Sequence, residues 1–100
     1  MFVEIAQIEI DPERAAEFAA AVASAEPHFR AAKGFKSFAL MRSVERPGRY
    51  RLMIGWETVD NHMVDFRNSD GFAAWRAAAG PFFVQPPEVE HVYDAFAANS

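Results

Sequence analysis

The chain is predicted to fold as an α+β domain with its elements in the order strand, helix, strand, strand, helix, strand. Three observations carry that expectation. Apolar residues recur at three- and four-residue spacing from Ala15 to Phe29, the signature of an amphipathic helix. Two apolar, strand-like segments meet at the turn dipeptide Pro47-Gly48. Strand patterns also stand near both ends of the chain, each separated from the central pair by a helical pattern.

The first strand covers residues 2 to 10, with Val3, Ile5 and Gln7 on one face and Glu4, Ala6, Ile8 and Ile10 on the other. The Val3, Ile5 and Gln7 face is assigned to the helices. Asp11-Pro12 starts the first helix, with Asp as N-cap, Pro at the first helical position and Glu13 at the positive end of the helix dipole. Ala15, Phe18, Val22, Ala25 and Phe29 form its apolar stripe, Pro27 is expected to kink or restart it, and Gly34 closes the segment. Residues 35 to 46 form the second strand, and Arg49 to Glu57 form the third.

The second helical region begins at Thr58 or Asp60 and breaks at Asn68-Ser69-Asp70-Gly71, where Ser69 caps a fresh helix carrying Phe72, Trp75 and Arg76. Gly80-Pro81 stops that helix. A loop, Phe82 to Pro87, leads to a fourth strand over Glu88 to Phe96, and Ala97 to Ser100 are expected to fray. The order is that of the split β-α-β unit of the ferredoxin-like fold, an antiparallel sheet with both helices on one face.

The other sheet face is also expected to be apolar, because Leu40 adjoins Met41 and Leu52, Met53 and Ile54 are consecutive. Soluble monomers rarely leave such a patch in water, so a two-fold homodimer is expected, with two sheets packed face to face in a joint α/β barrel.

At 100 residues and 51% hydrophobic composition, the chain suits a single domain over residues 1–100. Its net charge of -4, with Lys and Arg scattered apart from Arg46, Arg49 and Arg51, argues against nucleic acid as a partner. The absence of cysteine removes disulfides, thiolate nucleophiles and Cys-ligated metals. No apolar run has the length of a membrane span, and Met1-Phe2-Val3-Glu4 does not open a targeting signal, so a soluble cytoplasmic protein without membrane partners is expected. His28 and His91 have no neighbour at metal-ligand spacing and His62 with Asp65 is too small a set, so no metal is expected.

Candidate chemistry centres on the junction Gly55-Trp56-Glu57-Thr58 and the helix after it, where His62 stands one turn before Phe66 with Met63 beside them. An imidazole in an apolar wall is either a core histidine held by one hydrogen bond or a proton acceptor whose ordinary pKa is close to working pH. Gln7 either satisfies nearby backbone or hydrogen-bonds a substrate oxygen. Phe66, Phe72 and Trp75 either fill a core or stack on a flat aromatic ligand. Phe82 and Phe83, unusual in a loop, either lid a pocket or seal an interface. Arg42 either makes a surface ion pair or meets an anionic ligand.

The residues Trp56-Glu57-Thr58, the helix with His62, the run Phe66-Arg67-Asn68-Ser69-Asp70-Gly71-Phe72-Ala73-Ala74-Trp75-Arg76 and Gly80-Pro81-Phe82-Phe83 together resemble the antibiotic biosynthesis monooxygenase superfamily, over nearly the whole chain. The resemblance implies a dimeric ferredoxin-like barrel. Members include oxygenases of polycyclic phenols and quinols, haem degraders and proteins without a known reaction. The haem degraders use an asparagine on the first strand, a tryptophan in the second helical region and a histidine as iron ligand; this chain has Gln7, Phe66 and Arg76 at those places. Arginine stays protonated and cannot ligate iron, so haem is disfavoured.

What the resemblance then implies is a small cofactor-independent monooxygenase acting with dioxygen on an aromatic, phenolic or quinol-like molecule. His62 and Gln7 would be catalytic, and Trp75, Phe66, Phe72, Arg42, Phe82 and Phe83 would bind substrate. The alternatives are a haem-binding or haem-degrading monooxygenase and a non-catalytic dimeric ligand-binding module.

Overall fold

Along β1 (Phe2–Glu9) the side chains sort between two faces in the reverse of the expected sense. In the computed structural model, which describes residues 1–97, Glu4, Ala6, Ile8 and Ile10 are buried, whereas Val3, Ile5 and Gln7 are only partly covered. The row ending in Ile8 and Ile10 is apolar to its end and continues the Leu52 and Ile54 row of β3, while the other row runs into Gln7 and Glu9. Burying the first row removes more apolar surface from water. Gln7 therefore lies on the sheet face away from the helices, and its assignment to the helix side is corrected.

Asp11 caps the turn Pro12–Arg14 by accepting from the Glu13 amide at 3.0 Å, and the chain passes into α1 (Ala15–Arg30). Phe18, Val22, Ala25 and Phe29 form its buried stripe as expected. Pro27 does not end the helix. It removes only the amide that would reach the Ala23 carbonyl, and Phe29, 1% exposed and packed on Phe38, Phe66 and Trp75, holds the last turn in place.

β2 (Phe35–Arg42) and β3 (Arg49–Trp56) form the hairpin. β2 is shorter than expected because the connection turns early, with the Arg46 amide donating to Ser43 Oγ at 3.0 Å and the Arg49 amide to the Arg46 carbonyl at 2.9 Å. The second helical region breaks before α2 (Asp70–Ala79) as expected, capped where Ser69 Oγ accepts from the Phe72 amide at 3.2 Å, but its first part is a single π turn, Asn61–Phe66, rather than a helix from Thr58 or Asp60. β4 (Glu88–Val92) stops short of Phe96, and the end expected to fray past Ala97 lies outside the described residues.

The sheet order is β2-β3-β1-β4, every pair antiparallel, which is the ferredoxin-like topology. α1 packs on α2 and β2 over one face, enclosing Phe18, Phe29, Ile8, Leu52, Ile54 and Trp56. Pairing places Ile5 beside Met53, Met53 beside Ala39 and Val3 beside Val92 on the opposite face, with Met41 on the same side, 58% exposed. Among the described residues, no helix is long and apolar enough to cross a membrane.

Because Phe29 joins both helices to β2, truncation should leave a cavity that its aromatic neighbours cannot close. Phe29→Ala is expected to lower the unfolding free energy by about 3–5 kcal/mol, measured by urea denaturation. A loss below about 1 kcal/mol would contradict the packing described.

Candidate active site

The turn between β3 and the π turn is fixed by a reciprocal pair: the Thr58 amide donates to Asn61 Oδ1 at 3.0 Å, and the Asn61 amide donates to Thr58 Oγ1 at 3.1 Å. Gly34, with φ 79°, leaves the space that Asn61 fills; a Cβ there would overlap the Asn61 side chain. The coil then widens, with the Arg67 amide donating to the His62 carbonyl at 3.1 Å, five residues back. In this geometry His62 stacks on Trp56 at 5.7 Å between centroids and 13° between planes, while Phe66 meets the same indole at 5.6 Å.

Held there, the His62 imidazole lies over the inner row of β1. Its Nε2 is 3.3 Å from Glu4 Oε1, and its Nδ1 is 2.8 Å from His91 Nε2. Trp56 Nε1–H donates to the same Glu4 oxygen at 3.0 Å. His91 faces Glu4 directly in the β1–β4 register, so both side chains belong to the helix-facing side of the sheet.

Burial dominates the electrostatics. Removal from water pushes the Glu4 carboxyl up to about 7, against the opposing pull of the Trp56 hydrogen bond and the Arg67 charge. Burial likewise pushes His62 down to about 4, helped by His91 and Arg67, and pushes His91 down, helped by Arg67. Both shifts therefore disfavour an imidazolium–carboxylate ion pair at the Glu4–His62 contact, the one holding a proton on the carboxyl and the other keeping the imidazole neutral.

Between the sheet and α2 opens a cleft of about 920 Å³. Glu4, Ala6 and Ile8 line it from β1, Phe72, Trp75 and Arg76 from α2, and Phe83 to Pro87 from the last loop, with His62 and Arg67 also on its wall. An apolar, aromatic chamber with a few convergent polar groups is the usual form of a small-molecule site.

Of the residues singled out from sequence, His62, Phe72, Trp75 and Phe83 meet in this cleft. Four others do not line it. Phe66 is buried behind it, stacked on Phe29 at 4.7 Å; Phe82 packs on Phe18 beneath the Arg14 guanidinium; Gln7 is on the far face. Arg42 sits at the distant end of β2, where Nε donates to the Pro47 carbonyl at 2.8 Å and the guanidinium lies over Tyr50. These placements correct the expectation that Gln7, Phe66, Phe82 and Arg42 share a pocket with His62.

Sequence reasoning missed Glu4, Trp56, His91 and Arg67. The available signal was Glu4 itself, the one acid in the row Glu4, Ala6, Ile8 and Ile10, which stands out once that row is known to be inside. His62 also differs from its expected use, since both ring nitrogens are engaged by protein and neither is left for a substrate. Among the described residues, no group of three His, Cys, Asp or Glu side chains is arranged to hold a metal ion.

A ferredoxin-like sheet with an aromatic cleft between it and the second helix defines a class, and comparison with known proteins identifies it. The family model described as antibiotic biosynthesis monooxygenase matches residues 1–78, and the chain belongs to that family. It is 49% identical to a Bordetella bronchiseptica protein proposed to be an antibiotic biosynthesis monooxygenase, whose crystal structure superposes with a TM-score of 0.92 over 95% of this chain and 97% of that one. It is 32% identical to the uncharacterized Bacillus subtilis protein YczJ, over 94% of this chain and 99% of the relative. The Streptomyces coelicolor monooxygenase ActVA-Orf6, solved in complex with nanaomycin D, shares the fold at 19% identity, with a TM-score of 0.83 over 99% of this chain and 91% of that one.

The opposite shifts of Glu4 and His62 give a measurable pH dependence. An acid whose pKa rises on folding binds more protons folded than unfolded, so its contribution to stability is present at low pH and is lost as pH climbs to about 7. His62, pushed down to about 4, acts in the opposite sense: its contribution is present above its unfolded pKa and is lost as pH falls through 4. Glu4→Gln removes the first effect and leaves the second. Relative to that variant, wild type should lose on the order of 3 kcal/mol of stability between pH 4.5 and 7, measured by urea denaturation across that range. A pH-independent difference would contradict the shift of Glu4.

Proposed function

We propose that the protein is a cofactor-independent monooxygenase that oxidises a small aromatic, phenolic or quinol-like substrate with dioxygen, with Glu4 as the proton acceptor. The observation that carries this reading is the Glu4 carboxyl, buried at the wall of an aromatic cleft and titrating near 7, the range in which a general base works best at neutral pH. Both of its protein partners meet Oε1, and Oε2 has no partner among the described residues, leaving it for a substrate proton.

Removing a phenolic or enolic proton leaves an electron-rich anion that reduces dioxygen directly. Where the oxidised carbon is a methylene flanked by aryl groups, one methylene and one dioxygen molecule become one carbonyl and one water. The carbon loses four electrons and dioxygen gains them; one oxygen atom enters the carbonyl, and the other leaves as water with the two methylene hydrogens. Phe72, Trp75 and Phe83 supply faces on which a flat ring stacks, and the guanidinium groups of Arg67 and Arg76 offset the negative charge that develops on the substrate oxygen. The nanaomycin D held by ActVA-Orf6 supports a small-molecule ligand for this cleft. Haem does not fit the residues present, because Arg76 cannot ligate iron and both nitrogens of His62 are taken.

The same reading includes a homodimer, with a second copy covering the face that carries Ile5, Met53 and Met41. Oxygen uptake with a panel of hydroquinones and anthrone-like phenols tests the chemistry. Glu4→Gln should reduce kcat/KM by roughly 10²–10⁴-fold, while Gln7→Ala stays near wild type. Equal rates for Glu4→Gln and wild type would remove the carboxyl from the reaction.

Light scattering at micromolar concentration tests the pairing. Met41→Lys should convert a dimer mass to a monomer mass, whereas Leu40→Lys, on the core side, should chiefly lower stability. A monomeric wild type would refute the pairing.

A further inference from the structure

We propose that Glu4, His62 and His91 form a proton relay, through which a proton taken up by Glu4 in the cleft leaves the molecule from the far side of His91. The inference rests on Glu4 being the acceptor and deepens that reading: it assigns His91 a role and gives His62 the part of a conductor rather than a base.

The geometry is continuous. Oε1 of Glu4 lies 3.3 Å from His62 Nε2, and His62 Nδ1 lies 2.8 Å from His91 Nε2, so an imidazole that can accept at one nitrogen and donate at the other spans the gap. Three separate elements deliver these side chains: β1 holds Glu4, β4 holds His91 opposite it, and the π turn lowers His62 between them. At the outer end His91 is only partly buried, and its Nδ1 has no partner among the described residues. At the inner end Trp56 Nε1–H, a donor only, meets the Glu4 oxygen that stands beside His62, and either carboxyl oxygen can take that place.

Two complete proton arrangements fit this chain. In the first, Glu4 is protonated, a half-turn of its carboxyl having brought the proton taken up at the cleft-facing oxygen beside His62, and it donates to His62 Nε2; His62 Nδ1–H donates to His91 Nε2, and His91 carries its proton on Nδ1. In the second, Glu4 is ionised and accepts from His62 Nε2–H, His62 Nδ1 accepts from His91 Nε2–H, and His91 Nδ1 is bare. Passing from the first to the second moves one proton along each link and releases one from His91 Nδ1 to water. Both rings are neutral before and after.

The charged and titratable groups around His62 are Glu4 from β1, His91 from β4 and Arg67 from the segment after the π turn. Arg67 disfavours a lasting imidazolium on either ring, which favours passing the proton on over storing it. The consequence for turnover is that Glu4 can be reset while a substrate fills the cleft and keeps water from its front.

The decisive measurement is the tautomeric state of the two histidines, read by long-range proton–nitrogen correlation on ¹⁵N-labelled protein from about pH 5.5 to about pH 8.5, a range that brackets the titration of Glu4. His62 and His91 should convert together from the Nδ1–H to the Nε2–H form, with His62 never passing through an imidazolium. Their shared midpoint should coincide with the titration of Glu4, near 7. In Glu4→Gln both tautomers should hold still over the same range. Fixed tautomers in wild type, independent midpoints, or a conversion that persists in Glu4→Gln would each overturn the relay.

These readouts need no turnover. Coupled tautomers without oxygen uptake would leave the relay standing and refute the oxygenase, whereas Glu4-dependent uptake with fixed tautomers would do the reverse. If both hold, His91→Phe should lower kcat at least tenfold with KM little changed, and added imidazole should restore part of the rate. An unchanged kcat would refute the assigned exit.

Discussion

A single carboxyl group withheld from water organises this molecule. Glu4 occupies a row whose other members are Ala6, Ile8 and Ile10, and a charge there would have to be paired and hydrogen-bonded to be tolerated. The fold meets the demand with neutral groups. Trp56, the largest side chain fully enclosed in the core, turns its one donor to Glu4, and His62 stacks on that indole to reach the same oxygen. Among the described residues, no side-chain nitrogen or oxygen fully shut off from solvent is left without a partner. The inner links of the polar chain are paired, and its open ends are Glu4 Oε2 and His91 Nδ1.

The turn that delivers His62 depends on residues well outside the cleft. Asn61 is locked to Thr58 and also donates to Asp65 at 3.2 Å, and the space it needs exists because position 34 is glycine. The missing side chain at Gly34, between α1 and β2, thus lets Asn61 lock the turn that carries the adjacent His62. The same sheet serves two purposes without conflict, since strand alternation sends Glu4 and His91 to the cleft and Ile5 and Met53 to the face beyond it.

Much of the fold was legible in the sequence because its signals are local. Asp11-Pro12, the Phe18 to Phe29 stripe, Pro47-Gly48, and Ser69 before Phe72 each state a boundary in a few residues, and each element appears where those residues put it. Pro27 misled because one missing amide weighs little against the burial of Phe29, and residues 43 to 46 misled because a hydrogen bond that Ser43 Oγ accepts from the Arg46 amide ended the strand. The face of β1 was misread for a different reason. Both of its rows contain apolar residues, so the decision rests on what lies across from each in β3, which a linear reading cannot see. Reversing that face moved Gln7 out of the site and Glu4 into it. His62 was legible from its apolar surroundings, but its partners were not, because positions 4, 62 and 91 are joined only by sheet pairing and the π turn.

The π turn also separates two properties that usually travel together. Its wide coil contributes Phe66 to the hydrophobic interior and aims His62, yet the two depend on it unequally: an aromatic packed among aromatics tolerates a small rotation, whereas a ring held between its contact with Glu4 and its hydrogen bond to His91 does not. Tightening these six residues toward ordinary helical pitch would therefore turn the imidazole out of line sooner than it would unseat Phe66. In this segment of the chain, folding stability is a poor guide to the alignment of the imidazole.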